Sequence, residues 1–229
     1  MSTPIVLVPG MLCDQQLFSG VRERLRGRVL DARIDATSIG EMADQVLSAT
    51  DSDFVLCGLS LGAIVGFEVL RRAPERVAGF CAVSTNAAAP TETQLAAWRD
   101  MGERVRCGDF AGVVSGQLLP AMFASPEPGR ELEREFTGMA DRLGPDVLCD
   151  QLSAQATRED ATRWLGDVRC PTLVLCGSRD ALCPPRWHRD LAETVPGAVL
   201  RILPGAGHLL PLERPALVAE LLNEWDPVA

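Results

Sequence analysis

The chain has 229 residues, no lysine, no tyrosine, 22 arginines and a formal net charge of −9. That length accommodates one domain with a substantial core and an insertion. The negative charge argues against nucleic acid and anionic membrane surfaces as partners, and the missing lysine removes Ser-Lys dyads and Schiff-base chemistry.

The first apolar run, Ile5 to Val8, leads into the turn Pro9-Gly10. Further runs follow at Arg28 to Leu30, Phe54 to Cys57, Val77 to Val83, Thr172 to Cys176 and Ala198 to Leu203. They are short and lack clean alternation, as strands buried on both faces of a parallel sheet do. Helices are predicted at Ile39 to Thr50, Leu61 to Ala73, Pro185 to Thr194 and Pro215 to Trp225. In the second of these Leu61, Ile64, Val65 and Val69 form an apolar stripe, and Gly62, Ala63 and Gly66 permit close packing on the sheet. Strand and helix in alternation with short turns describe an α/β fold, a doubly wound and mostly parallel sheet of about six strands. Between Asn86 and Trp164 the strand-like runs stop. Leu95 to Val105, Gly112 to Met122, Arg130 to Leu143 and Asp146 to Ala156 read as helices, too much chain for a plain connection.

Gly58-Leu59-Ser60-Leu61-Gly62 stands between a predicted strand and a predicted helix. A serine at such a junction occupies a sharp turn with its hydroxyl pushed outward, and the flanking glycines leave room for the turn to close. A nucleophilic serine needs a base. His208 lies in a glycine-rich loop directly after the run Ala198 to Leu203, where a side chain can be aimed at Ser60. His188 follows Pro184-Pro185 among polar neighbours and reads as a solvated residue in the first turn of a surface helix. Asp180 closes the loop after Thr172 to Cys176, at a strand end, and is placed to orient His208. The other role open to Asp180 is a turn or helix-capping aspartate ahead of Pro184.

The order Ser60, Asp180, His208 is that of the α/β-hydrolase triad. Together with Val6-Leu7-Val8-Pro9-Gly10, Leu175 to Asp180 and Pro204 to His208, it makes the chain resemble that family over nearly its whole length. The resemblance implies an oxyanion hole built from the backbone N–H groups of Met11 and Leu61. It implies a core formed by residues 1–86 and 165–229, and a helical cap formed by residues 87–164, with Leu119, Met122, Phe123 and Trp164 available either for the pocket wall or for packing. Two departures stand out. Pro9 replaces a histidine common before the glycine, and the antiparallel strands that usually open the fold are not expected ahead of Pro4.

The implied reaction is hydrolysis of a small carboxylic ester or thioester through an acyl-enzyme, with a small-molecule acyl substrate as partner. The same triad also serves C–C bond hydrolysis, lyase, perhydrolase and acyltransferase chemistry, and the fold hosts non-catalytic ligand-binding proteins. An aspartate nucleophile, as in epoxide hydrolases and haloalkane dehalogenases of this fold, does not match Ser60. No cysteine/histidine cluster at ligand spacing and no dinucleotide-binding glycine fingerprint is visible, so neither metal nor cofactor is expected. Cys57, Cys81, Cys170 and Cys176 fall in or beside apolar runs and read as core hydrophobes of a reducing compartment. With no leader and no bilayer-length apolar run visible, the expected location is the cytoplasm.

Overall fold

The six apolar runs form six strands in a computed structural model that describes residues 3–225 and 227. They are β1 (Ile5–Val8), β2 (Val29–Asp31), β3 (Phe54–Leu59), β4 (Val77–Val83), β5 (Thr172–Gly177) and β6 (Val199–Leu203). Their order in the sheet is β2-β1-β3-β4-β5-β6, and every neighbouring pair is parallel.

Parallel neighbours require crossover connections, so helices cover both faces and successive strand residues enter two different cores. Val6, Val8, Leu56 and Ala82 pack with the helices Ile39–Leu47, Leu61–Arg72 and Pro185–Thr194. Leu7, Cys57, Leu59 and Val83 pack on the opposite face, with the helix Pro215–Trp225 and the helical segment 15–22. That segment has no counterpart in the sequence expectations. It is a short 3₁₀ turn running into one α-turn, below the length at which a period is visible. All eight cysteines are free, with Cys57, Cys81 and Cys176 buried and Cys170 partly exposed.

The chain leaves β1 toward β2 on one side and returns to β3 on the other. The crevice between the carboxyl ends of β1 and β3 is therefore a topological switch point, where sheets of this kind bind ligands.

Between β4 and β5 the chain is helical: Glu92–Arg106, a segment from Phe110 to Met122, and Arg130–Ala156. The last is interrupted at Gly144, whose φ of +79° and ψ of 177° are not helical. Pro145 opens the second half, where its missing N–H costs nothing. The break falls between the two helices read from the sequence. Among the described residues no helix is long and apolar enough to cross a membrane.

Candidate active site

Ser60 sits between the last residue of β3 and the first of the helix Leu61–Arg72, at φ +53° and ψ −111°. A non-glycine residue holds this conformation only when its surroundings enforce it. Here they do. A Cβ at Gly62 would stand 2.3 Å from the Val8 carbonyl oxygen, and one at Gly58 would stand 2.5 Å from the Gly62 oxygen. Helix and strands thus meet backbone to backbone. The Ser60 N–H donates to the Val83 carbonyl at 2.9 Å, and the Ser60 carbonyl accepts from Thr85 Oγ1 at 3.0 Å and from the amides of Ala63 and Ile64. The Oγ makes no hydrogen bond among the described residues and borders a cavity of about 200 Å³.

Asp180 and His208 are brought together from loops after β5 and β6. His208 Nδ1 lies 2.9 Å from Asp180 Oδ2 and 3.1 Å from Oδ1, and both residues are 3% exposed. Gly177 permits the two loops to touch, since a Cβ there would lie 2.2 Å from the Ala206 carbonyl oxygen. Asp180 Oδ1 also accepts the amides of Leu182 and Cys183 at 3.0 and 2.8 Å. Burial pushes this carboxyl upward, but the His208 ring and the donated hydrogen bonds outweigh it and hold the carboxyl below its usual range. One side chain thus holds both the His208 ring and the amides of its own turn, while the helix that follows takes no side-chain cap from it. His208 borders the same cavity as Ser60, though no hydrogen bond joins the two. Such bonds are often long before substrate binds.

Gly10 and Met11 complete this side of the cavity. A Cβ at Gly10 would stand 3.6 Å from Ser60 Cβ, which puts the loop after β1 against the serine. The amides of Met11 and Leu61 have no acceptor among the described residues, the condition an oxyanion site requires. Next to Met11, Leu12 has a φ of +53°. Its N–H is held by Gln151 Oε1 at 2.9 Å, and Gln151 Nε2 donates to the Ile34 carbonyl at 2.8 Å. Gln151 is 1% exposed. It fastens the loop after β1 and the loop after β2 to the second half of the long helix, a role with no sequence signal because 139 positions separate Gln151 from Leu12.

The helices between β4 and β5 supply much of the remaining wall. Gln94, Trp98 and Met101 come from one helix, and Gln117, Leu118, Ala121 and Met122 from a segment widened to π geometry at Val114–Leu118. Of the four apolar residues considered for this wall, Met122 borders the cavity. Leu119 and Phe123 pack in the core, and Trp164 borders a separate cavity. The helical segment is tied to the His208 loop by the Leu209 N–H donating to the Met122 carbonyl at 3.0 Å. The carboxylate of half-buried Glu213 adds to the tie, accepting from Gly207 and Ala124 at 2.8 and 3.2 Å.

His188 corrects the sequence reading. It is fully buried, not solvated. Nε2 accepts the Thr85 N–H at 2.8 Å, and Nδ1 faces the Pro184 carbonyl. Burial lowers its pKa to about 4, so the ring is neutral. Among the described residues no group of three or more histidine, cysteine or acidic side chains is arranged to hold a metal.

A sequence profile described as "Alpha/beta hydrolase family" matches residues 5–221. A pimeloyl-[acyl-carrier protein] methyl ester esterase of Neisseria meningitidis serogroup C is 24% identical over 96% of this chain and 92% of its own length. One from Photobacterium profundum is 26% identical over 84% and 78%. Among solved structures, a thermophilic esterase from Thermogutta terrifontis, with malate bound, superposes with a TM-score of 0.91 at 28% identity, covering 98% of this chain and 89% of that one. An enol-lactonase from Burkholderia xenovorans shares the fold, with a TM-score of 0.86 at 18% identity over 98% of this chain and 91% of that one. With nearly the whole chain matched, from β1 into the last helix, the protein belongs to the alpha/beta hydrolase family.

Proposed function

We propose that the protein is a serine esterase that cleaves small carboxylic esters through an acyl-enzyme, with Ser60 as nucleophile, His208 as general base and Asp180 as the acid that orients it. The observation that carries this reading is the shared cavity: Ser60 and the Asp180-bound His208 border one small space together with Met11, whose amide has no acceptor among the described residues. The esterase relatives support ester hydrolysis as the reaction.

In this mechanism the Asp180 carboxylate takes the Nδ1 proton of His208 as a hydrogen bond and leaves Nε2 as the basic nitrogen. His208 accepts the Ser60 proton as Oγ attacks the ester carbonyl. The Ser60 backbone is pinned by Val83, Thr85 and its own helix, so the hydroxyl alone is free to turn. Negative charge develops on the carbonyl oxygen, where the Met11 and Leu61 amides receive it; each such donor is worth about 10²–10³-fold in kcat. His208 Nε2–H then protonates the departing alkoxide. Water repeats the sequence on the acyl-enzyme and releases the acid. The helices between β4 and β5 act as a cap, keeping bulk water from the intermediate and shaping the acyl pocket.

The test is intact mass after treatment with a small fluorophosphonate, beside Ser60→Ala, followed by an ester panel. One adduct on the wild type, none on the variant, and turnover of methyl or nitrophenyl esters are expected. A folded wild type that takes up no reagent would refute the assignment.

A further inference from the structure

Arg158 borders the cavity that holds Ser60 and His208, and it is 7% exposed. Its Nε donates to the Ala88 carbonyl at 3.1 Å, one terminal nitrogen to Gln155 Oε1 at 2.6 Å and the other to Asn86 Oδ1 at 3.2 Å. The guanidinium lies over the Trp98 ring, 5.5 Å from its centroid. All three acceptors are neutral. A guanidinium has five N–H groups, so one on each terminal nitrogen is left to donate to a further acceptor.

No carboxylate pairs with this charge among the described residues. Ion-paired arginines such as Arg72, Arg104 and Arg142 all lie where solvent reaches them. Asp180 is committed to His208 and to two loop amides. Cys183, the other ionisable group beside Arg158, is held protonated by burial. Glu159 is exposed and forms no ion pair. A buried cation without a counter-ion is expensive to keep. The charge is accounted for when an anion enters the cavity. Of the cavity wall, the amides of Asn86 and Gln155 hold Arg158, while Met101, Leu118 and Met122 contribute apolar side chains.

We infer that Arg158 anchors a carboxylate on the substrate, so that the esters this protein prefers are half-esters of short dicarboxylic acids, one end held at Arg158 and the other presented to Ser60. This rests on the esterase reading above and names the substrate class for it. The planar, delocalised fork suits a carboxylate better than a lysine ammonium would.

The test compares monomethyl malonate, succinate, glutarate and adipate with the same esters carrying a primary amide in place of the free carboxylate. The wild type should favour the carboxylate by tenfold or more in kcat/KM for at least one chain length. Arg158→Met should bring that ratio to about one, and Arg158→Lys should retain part of it; both break the hydrogen bonds to Ala88, Asn86 and Gln155, so a merely structural role would leave the ratio unmoved. A wild-type ratio of one or below at every length, or an unaltered ratio in Arg158→Met, overturns the inference. A reading independent of turnover, and of whether the variants fold, is protection of Ser60 from fluorophosphonate. Glutarate should slow labelling more than glutaramide does, and equal slowing counts against the anchor. If Ser60 is labelled but no ester is cleaved, the esterase reading fails while this comparison still reads Arg158.

Discussion

The buried ring of His188 holds the backbone of Thr85, Nε2 accepting its N–H at 2.8 Å, and Thr85 Oγ1 in turn holds the carbonyl of Ser60 at 3.0 Å. Asp180 and the Pro184 carbonyl favour a proton on the ring and His208 opposes one, but burial dominates and lowers the pKa from 6.5 to about 4. The folded protein therefore keeps His188 neutral where the unfolded chain protonates it. Stability contributed by this group is full above pH 6.5 and declines as pH falls toward 4, by up to about 1.4 kcal/mol per pH unit.

Thermal melts of the wild type should thus fall steadily between pH 6.5 and 4, and His188→Gln, which cannot titrate, should lose stability at pH 7 but flatten that slope. Asp180 acts in a different window. Its folded pKa lies below 3.8, so its contribution is lost only as pH drops further. Equal slopes for wild type and variant above pH 4 would rule out His188 as the source.

Ser60 carries its positive φ with a side chain attached. Backbone conformations of this kind cost on the order of 1–3 kcal/mol, and glycine adopts them with little strain. Ser60→Gly should therefore be more stable than Ser60→Ala by about 1 kcal/mol in denaturant unfolding, while both lose activity by roughly 10⁴-fold or more. If Ser60→Gly is the less stable of the two, the turn is not strained.

Gln151 is expected to support the Met11 amide from behind. Gln151→Met keeps the volume but leaves the Leu12 N–H and the Ile34 carbonyl buried without partners, a loss of roughly 1–3 kcal/mol for an unsatisfied group. Beyond lower stability, kcat should fall more than KM changes, because a displaced Met11 amide weakens the transition state and not the ground state. A loss of stability with unchanged kcat would confine Gln151 to a structural part.

Asp180→Asn leaves an oxygen for the Leu182 and Cys183 amides but can turn an N–H toward His208 Nδ1, which forces the wrong tautomer. Turnover should drop by roughly 10³–10⁴-fold, with the rate of fluorophosphonate labelling falling in parallel. Undiminished labelling would reduce Asp180 to the turn role that the sequence alone also allowed.

Much of this architecture is local enough to be written in one dimension. The inner strands were visible because a residue run covered on both faces is apolar almost throughout, and strand ends moved by one residue at most, except that β3 runs on for two more, through Gly58 and Leu59. The placement of Ser60, Asp180 and His208 after three strands was legible because a strand followed by a glycine-containing loop is a local pattern, and parallel strands deliver all such loops to one edge. The break at Gly144-Pro145 was legible for the same reason. What lay out of reach was every contact decided by where separate elements land. His188 stands three residues ahead of Leu191, on the buried face of its helix, and its contact with Thr85 at the exit of β4 makes it structural and not solvated. Gln151 and Arg158 are ordinary helix residues in the sequence. Only the folding of the helices between β4 and β5 over the switch point between β1 and β3 sets one behind the loop after β1 and leaves the other at the cavity wall with no carboxylate partner among the described residues.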